Sequence, residues 1–225
     1  MSLLLANLNS LAGGLFLITA FGIIATRQVQ DCLRFFIFQS IFLAASAFVL
    51  GAQPLSWHLI AAGAINLVTK PLLIPWVLRR TVHEEIYTRR EINQILSIPI
   101  SLMIALILAV AAYFISLPWL GAVGADGAVR INVPIGLAGV LLGAYGLTVR
   151  REAVPQILGI LAMENGAFFA GVAITPDLPV IAELAVAFDI LVLAFVVGVL
   201  TRTVHERTGT TAVGNLTNLR EEPRQ

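Results

Sequence analysis

Seven apolar runs divide this chain, at approximately residues 3–25, 32–52, 57–78, 94–117, 131–149, 154–175 and 178–201. About 20 mainly apolar residues in a helix cross a hydrocarbon core roughly 30 Å thick, so each run is long enough to span a bilayer. The expected fold is an all-α integral membrane protein with seven transmembrane helices. The segments between the runs are of the opposite character: Gly51-Ala52-Gln53-Pro54, Arg79 to Glu91, Pro118 to Arg130, Arg150-Arg151-Glu152 and Thr175-Pro176-Asp177 supply glycine, proline and charge where the chain has to turn.

The composition excludes several classes of function. With 58% hydrophobic and 12% charged residues the chain lies far from the mix of soluble domains. A net charge of +1, with the basic residues in short clusters at the ends of the runs, gives no continuous face for nucleic acid. One cysteine, Cys32, rules out an intrachain disulfide. The three histidines His58, His83 and His205 lack ligand-like spacing, so neither a metal site nor a cofactor is expected in this chain. The longest hydrophilic segments are too short for an active-site domain and carry no Ser/His/Asp, phosphate-loop or metal constellation, so no catalytic residue is assigned. Nothing basic precedes Arg27, unlike a cleavable secretory signal, and the first run reads as a retained helix.

Seven spans place the loops after the first, third and fifth, together with the tail, on one side of the membrane. That side holds twelve of the thirteen arginines; only Arg130 lies on the other. The positive-inside bias puts the arginine-rich side in the cytoplasm, with the N-terminus outside and the C-terminus inside. The octapeptide Val77-Leu78-Arg79-Arg80-Thr81-Val82-His83-Glu84 recurs as Val199-Leu200-Thr201-Arg202-Thr203-Val204-His205-Glu206, with seven of eight residues identical, at equivalent ends of the third and seventh runs. Two parallel three-helix repeats joined by a linker helix follow, a three plus one plus three arrangement. The first repeat with its cytoplasmic loop covers 1–91, the linker helix and external loop 92–130, the second repeat 131–206 and a polar cytoplasmic tail 207–225. The RTVHE segments themselves read as a basic collar at the cytoplasmic interface.

Four ionisable residues fall inside the runs: Lys70, Glu164, Glu183 and Asp189. Each costs at least about 2.5 kcal/mol to place in the hydrocarbon zone and is a candidate for function. Lys70 lies about nine residues, roughly 14 Å, from the cytoplasmic end of its span, too deep to snorkel fully, and so has to face protein or water. Asn66 shares its face, and Pro71 and Pro75 each remove a backbone donor, which predicts a polar break in the helix. Glu164 is central in Ala162-Met163-Glu164-Asn165-Gly166, among small residues Gly159, Gly166, Ala170 and Gly171 that permit close helix approach. Asp189 is central in the seventh run, with Glu183 about 9 Å nearer the outer surface. Gln39, roughly equivalent to Glu164 by repeat alignment, reads as a structural hydrogen-bonding residue. Low dielectric disfavours the charged form of acids and bases alike, which brings their proton affinities toward working pH, the requirement for a proton relay. The alternative is a static interhelical clamp of Lys70 with one of the acids.

These residues carry a resemblance. The three-helix module at about 131–206, the basic turn Arg150-Arg151-Glu152, the segment Gly159-Ile160-Leu161-Ala162-Met163-Glu164-Asn165 and the acids of the following span resemble the hydrogenase-4 component E (HyfE) proteins. The C-terminal half of those proteins is similar to NuoK of respiratory complex I and MrpC of sodium/proton antiporters. The resemblance covers most of the chain. It implies that Glu164 matches the first of two buried glutamates on adjacent helices, with Asp189 or Glu183 as the second station at a shorter spacing than in NuoK. It also implies a non-catalytic membrane-arm subunit of an oxidoreductase complex, set between a redox-linked arm and a large antiporter-like subunit in a bacterial inner membrane. Such a subunit contributes carboxylates to proton translocation, its partners being lipid and hydrogenase or complex-I-like subunits. Two rivals stand beside it. A free-standing SWEET-like small-solute transporter shares the three plus one plus three arrangement, but Pro155-Gln156 occurs once and in the second helix of its repeat rather than the first. A passive assembly subunit would use the buried charges only to fix packing.

Overall fold

A chain of long apolar stretches satisfies its own backbone in a bilayer by coiling each stretch into a helix, and in the computed structural model every described element is a helix. It describes residues 3–52, 55–76, 95–122, 127–151 and 153–174. These form α1 (Leu3–Ala25), α2 (Val29–Gly51), α3 (Trp57–Val68, continued through a π-helical turn Thr69–Leu73 to Trp76), α4 (Ile98–Ala122), α5 (Gly127–Val149) and α6 (Ala153–Ile174). All six are long and apolar enough to cross a membrane. The seventh run, both RTVHE segments and the tail lie outside the described residues.

The ends of the helices differ from expectation by up to about a turn, each for a local reason. α2 starts at Val29 because Asp31, in its first turn, complements the N-terminal end of the helix dipole and pairs with exposed Arg34 at 3.0 Å. α4 runs through Pro118 to Ala122, so Pro118 stands inside the helix and not at the head of the loop. Apolar Trp119 and Leu120 follow it, and one lost N–H near a helix end breaks a single ladder bond. α5 begins at Gly127; Pro134 cannot donate to Arg130 O, and the residues before it add one further turn.

α1 packs on α2 and α5, α2 on α3 and α6, and α5 on α6, while α4 rests on α5 and α1. Only 22% of α4's most apolar stretch is buried, against 61% in α6, which puts α4 at the rim and α6 at the centre. The α5–α6 contact is backbone to backbone. A Cβ added at Gly143 would lie 2.5 Å from Met163 N, one at Gly136 2.6 Å from Ala170 N, and one at Gly166 would strike Val140 N. Gly159 also faces α5, at 3.0 Å from Leu147 N, whereas a Cβ at Gly171 would find room. Of the small residues expected to bring α6 close to a neighbour, three do so and Gly171 does not.

Side chains fill the remaining interior in layers. Leu33, Phe36, Ile74, Leu158 and Leu161 join α2, α3 and α6. Phe16, Leu43, Leu59 and Phe169 form a second cluster, with the rings of Phe16 and Phe169 stacked at 4.5 Å. Polar groups sit between and beyond these layers. Asn9 Nδ2 donates to Asn132 Oδ1 at 2.8 Å, and Ser46 Oγ donates to Asn9 Oδ1 at 2.6 Å, tying α1, α5 and α2 together in a fully hydrogen-bonded triad.

At the opposite ends of α1 and α5, Arg150 of the basic turn points into the protein. It is 2% exposed. Its guanidinium donates to Ile23 O and, at 2.9 Å, to Cys32 Sγ, while its own carbonyl accepts from Gln156 Nε2 at 2.7 Å. The fork of donors on a guanidinium suits it to bridge two acceptors on different helices in this way. Arg150 thus stitches the α5–α6 turn to the α1–α2 turn, while Arg151 is exposed.

Candidate functional site

Pro71 fixes the local geometry of the site. It cannot donate an N–H into the helical ladder, and the chain widens into a π turn over Thr69–Leu73. The N–H of Ile74 donates to Thr69 O, five residues back, and Thr69 Oγ1 donates to Ile65 O at 2.9 Å. The break predicted from the two prolines is this widened turn. Such turns recur at functional sites because they redirect one side chain while the helix continues. The side chain redirected here is Lys70, which the turn carries into the bundle.

Lys70 is 1% exposed, so it faces protein, as its depth requires. Its Nζ donates to Asn165 Oδ1 at 2.8 Å and stands 3.4 Å from Glu164 Oε1. α6 presents both partners because they are consecutive residues, while the backbone contact with α5 holds α6 in place. Asn165 is anchored in turn by α2: its Nδ2 donates to Ser40 Oγ at 3.0 Å and to Gln39 Oε1 at 3.3 Å. Ser40 Oγ donates onward to Phe36 O at 3.0 Å, so its lone pairs are available to Asn165. Five side chains from three helices therefore form one polar layer near the middle of the spans. Gln39, Ser40, Lys70 and Asn165 are all nearly inaccessible, and the oxygens of Glu164 are buried.

The donor Gln39 Nε2 in this layer, and the acceptor Asn66 Oδ1 one turn before Lys70, are among the buried atoms with no hydrogen-bond partner among the described residues. An ion pair in such a setting is balanced by large opposing terms. Desolvation costs several kcal/mol per ion, and the attraction offsets it only when the remaining donors and acceptors are also satisfied. Asn165 supplies that further satisfaction for Lys70. The arrangement brings one acid and one base into contact inside the bundle.

Of the four residues singled out in the sequence, Lys70 and Glu164 come together; Glu183 and Asp189 lie outside the described residues. Gln39 has the hydrogen-bonding role read for it, and its partner is Asn165. Asn165 and Ser40 were not selected from the sequence. Asn165 adjoins Glu164 in the segment that carried the resemblance, but Ser40 offers no signal, because a hydroxyl in an apolar helix usually bonds its own backbone.

Six long apolar helices packed around a buried ionic layer define a polytopic, multi-pass membrane protein. The chain belongs to one family with the uncharacterized protein Rv0085 of Mycobacterium tuberculosis, with 32% identity over 211 residues that cover 93% of this chain and 94% of that protein. It is also 26% identical to hydrogenase-4 component E of Escherichia coli K12 over 215 residues, 94% of this chain and 96% of the relative, and equally similar to the component E of Shigella flexneri. The expected resemblance therefore extends over nearly the full length of both chains. No family model matches the chain, and no solved structure does.

Proposed function

We propose that this chain is a membrane-arm subunit of a hydrogenase-4-like or complex-I-like respiratory complex in a bacterial inner membrane. In this reading the Lys70–Glu164 pair takes part in proton translocation driven by electron transfer in other subunits. The observation that carries the proposal is the pair itself: an acid and a base in contact, buried within membrane spans and embedded in neutral hydrogen-bonding side chains. The near full-length similarity to hydrogenase-4 component E supports the setting. Electron transfer elsewhere in the complex alters the field or hydration around Glu164, and its changed proton affinity is passed on through Lys70. Asp189, with Glu183 as the alternative, is the second station. The partners are other membrane-arm subunits, including a large antiporter-like one.

The seven-span topology with the N-terminus outside, and the division into 1–91, 92–130, 131–206 and 207–225, belong to the same proposal. The arginine count supports the orientation. The parallel repeat draws support from α1 meeting α5 and α2 meeting α6, and from Asn9 bonding to Asn132, 123 positions away. Glu164→Gln, made in the assembled complex, tests the function. Loss of proton pumping with electron transfer retained is the expected result; unchanged pumping would refute the relay. A static clamp is the second reading, favoured by the ion pair being formed, and unchanged pumping together with a lowered melting temperature is its signature.

A further inference from the structure

Arg27 and Arg151 stand in corresponding turns, α1–α2 and α5–α6, and both are exposed. Neither enters an ion pair among the described residues, whereas exposed Arg34, in the first turns of α2, is paired with Asp31. The two turns are not free to part. Arg150, next to Arg151, is buried and donates to Ile23 O on α1 and to Cys32 Sγ on α2, which fixes it to both helices that flank Arg27. Two guanidinium groups are thereby held on adjoining turns at one end of the bundle, where their charges repel and an anion between them is favoured. We propose that Arg27 and Arg151 form a binding site for the headgroup of one anionic phospholipid. A guanidinium offers a planar fork of donors that matches a pair of phosphate oxygens, and a headgroup with net negative charge offsets the two cations.

The place favours a lipid over a free anion or an acidic protein segment. α1 ends at Ala25 and α5 at Val149, so both arginines lie just beyond the ends of helices long enough to cross a membrane. Along α1 below Arg27 the outward side is apolar and open: Ile18 is 63% exposed, and a Cβ at Gly14 would meet no atom within 4 Å. Charge at the end of a span with open apolar surface beneath it fits an amphiphile, whereas inorganic phosphate or a soluble acidic chain would use the charge alone. The other described cations do not join the site. Lys70 is inside the bundle, Arg34 has its own carboxylate, and Arg130 stands at the opposite end of α5. Lipid binding at these turns is independent of proton translocation.

The full-length chain, purified and stripped of lipid in detergent, is titrated with phosphatidylglycerol, and the bound lipid is counted by native mass spectrometry. One phosphatidylglycerol per chain binds in preference to phosphatidylcholine, whose headgroup has no net charge. Arg27→Gln and Arg151→Gln each weaken this binding by about tenfold, the scale of a hydrogen bond to a charged group. The double variant loses less than the product of the two, because both side chains hold one headgroup. Arg34→Gln, which removes an exposed and already paired charge, and Arg130→Gln, at the other end, leave binding within about twofold. Equal weakening by all four substitutions, or strictly multiplicative losses at Arg27 and Arg151, marks a diffuse basic rim and overturns the proposal. No saturable binding, or equal retention of phosphatidylcholine, overturns it too, and displacement of the lipid by millimolar inorganic phosphate does so in favour of a small-anion site. Arg150→Lys reads the stitch: it keeps the charge but loses the fork that reaches two acceptors, and it weakens phosphatidylglycerol binding with no surface charge altered. Unchanged binding in that variant removes the geometric basis of the site; if the variant does not accumulate, the substitutions at the exposed arginines decide alone.

Discussion

Removing the ammonium of Lys70 leaves the Glu164 carboxylate and Asn165 Oδ1 facing one another in a water-poor interior. Breaking a buried pair from one side costs about 3–5 kcal/mol, whereas replacing both members with apolar groups of similar volume is often close to neutral. Lys70→Met is therefore expected to lower the melting temperature of the detergent-purified protein sharply, and adding Glu164→Leu to recover most of the loss. Equal melting temperatures for the single and double variants would show that the two charges are not coupled. At this scale the sequence was legible in part. Lys70 and Glu164 stand out because charge in an apolar run is conspicuous. Asn165 and Ser40 do not, because their roles arise from contacts between positions 95 and 125 residues apart. Arg150 reads from the sequence only as part of a basic turn, and it is the arrangement of Ile23 O and Cys32 that turns it inward.

The helices owe their placement to two kinds of local irregularity. Glycine brings α5 and α6 into backbone contact, and proline opens the π turn in α3. Gly166→Ala is expected to destabilise by about 1–3 kcal/mol, the usual scale of overpacking, because the new methyl meets the Val140 backbone, which cannot rotate away. Gly171→Ala is its control, neutral or slightly stabilising, since a Cβ there finds room and alanine favours the helix. Thermal melts of the two variants in one detergent check the contrast, and equal losses would argue that α5 and α6 pack less closely than described. The six spans could be read from hydropathy because each apolar run is long and bounded by turn residues. Some of their ends could not, because proline near a helix end reads as a stop, and Pro118 lies within α4. The π turn was foreshadowed by Pro71 as a break, but a fixed 3.6-residue period cannot show that the break carries Lys70 inward.

For the molecule as a whole, the orientation is the most economical property to test. In a Cys32→Ser background, Leu3→Cys is expected to react with a membrane-impermeant maleimide on intact cells, and Arg151→Cys only after the membrane is permeabilised. The opposite pattern would reverse the topology and, with it, the direction of any proton path. The arginine asymmetry predicts this orientation without reference to any fold, whereas the pairing of α1 with α5 and of α2 with α6 emerges only from packing. The depth of the buried pair adds an electrical property. Lys70 and Glu164 both lie well away from the ends of their spans, and while they are paired their charges cancel, so the transmembrane voltage does no net work on them. A proton that neutralises Glu164 leaves one positive charge near the middle of the field. Moving a full charge across the membrane is worth about 2.3 kcal/mol per 100 mV, and a charge brought halfway feels about half of that. In the proposed relay, loading the site would therefore be voltage-dependent even with no helix moving: an energised membrane would favour proton entry from the positive side and oppose its return.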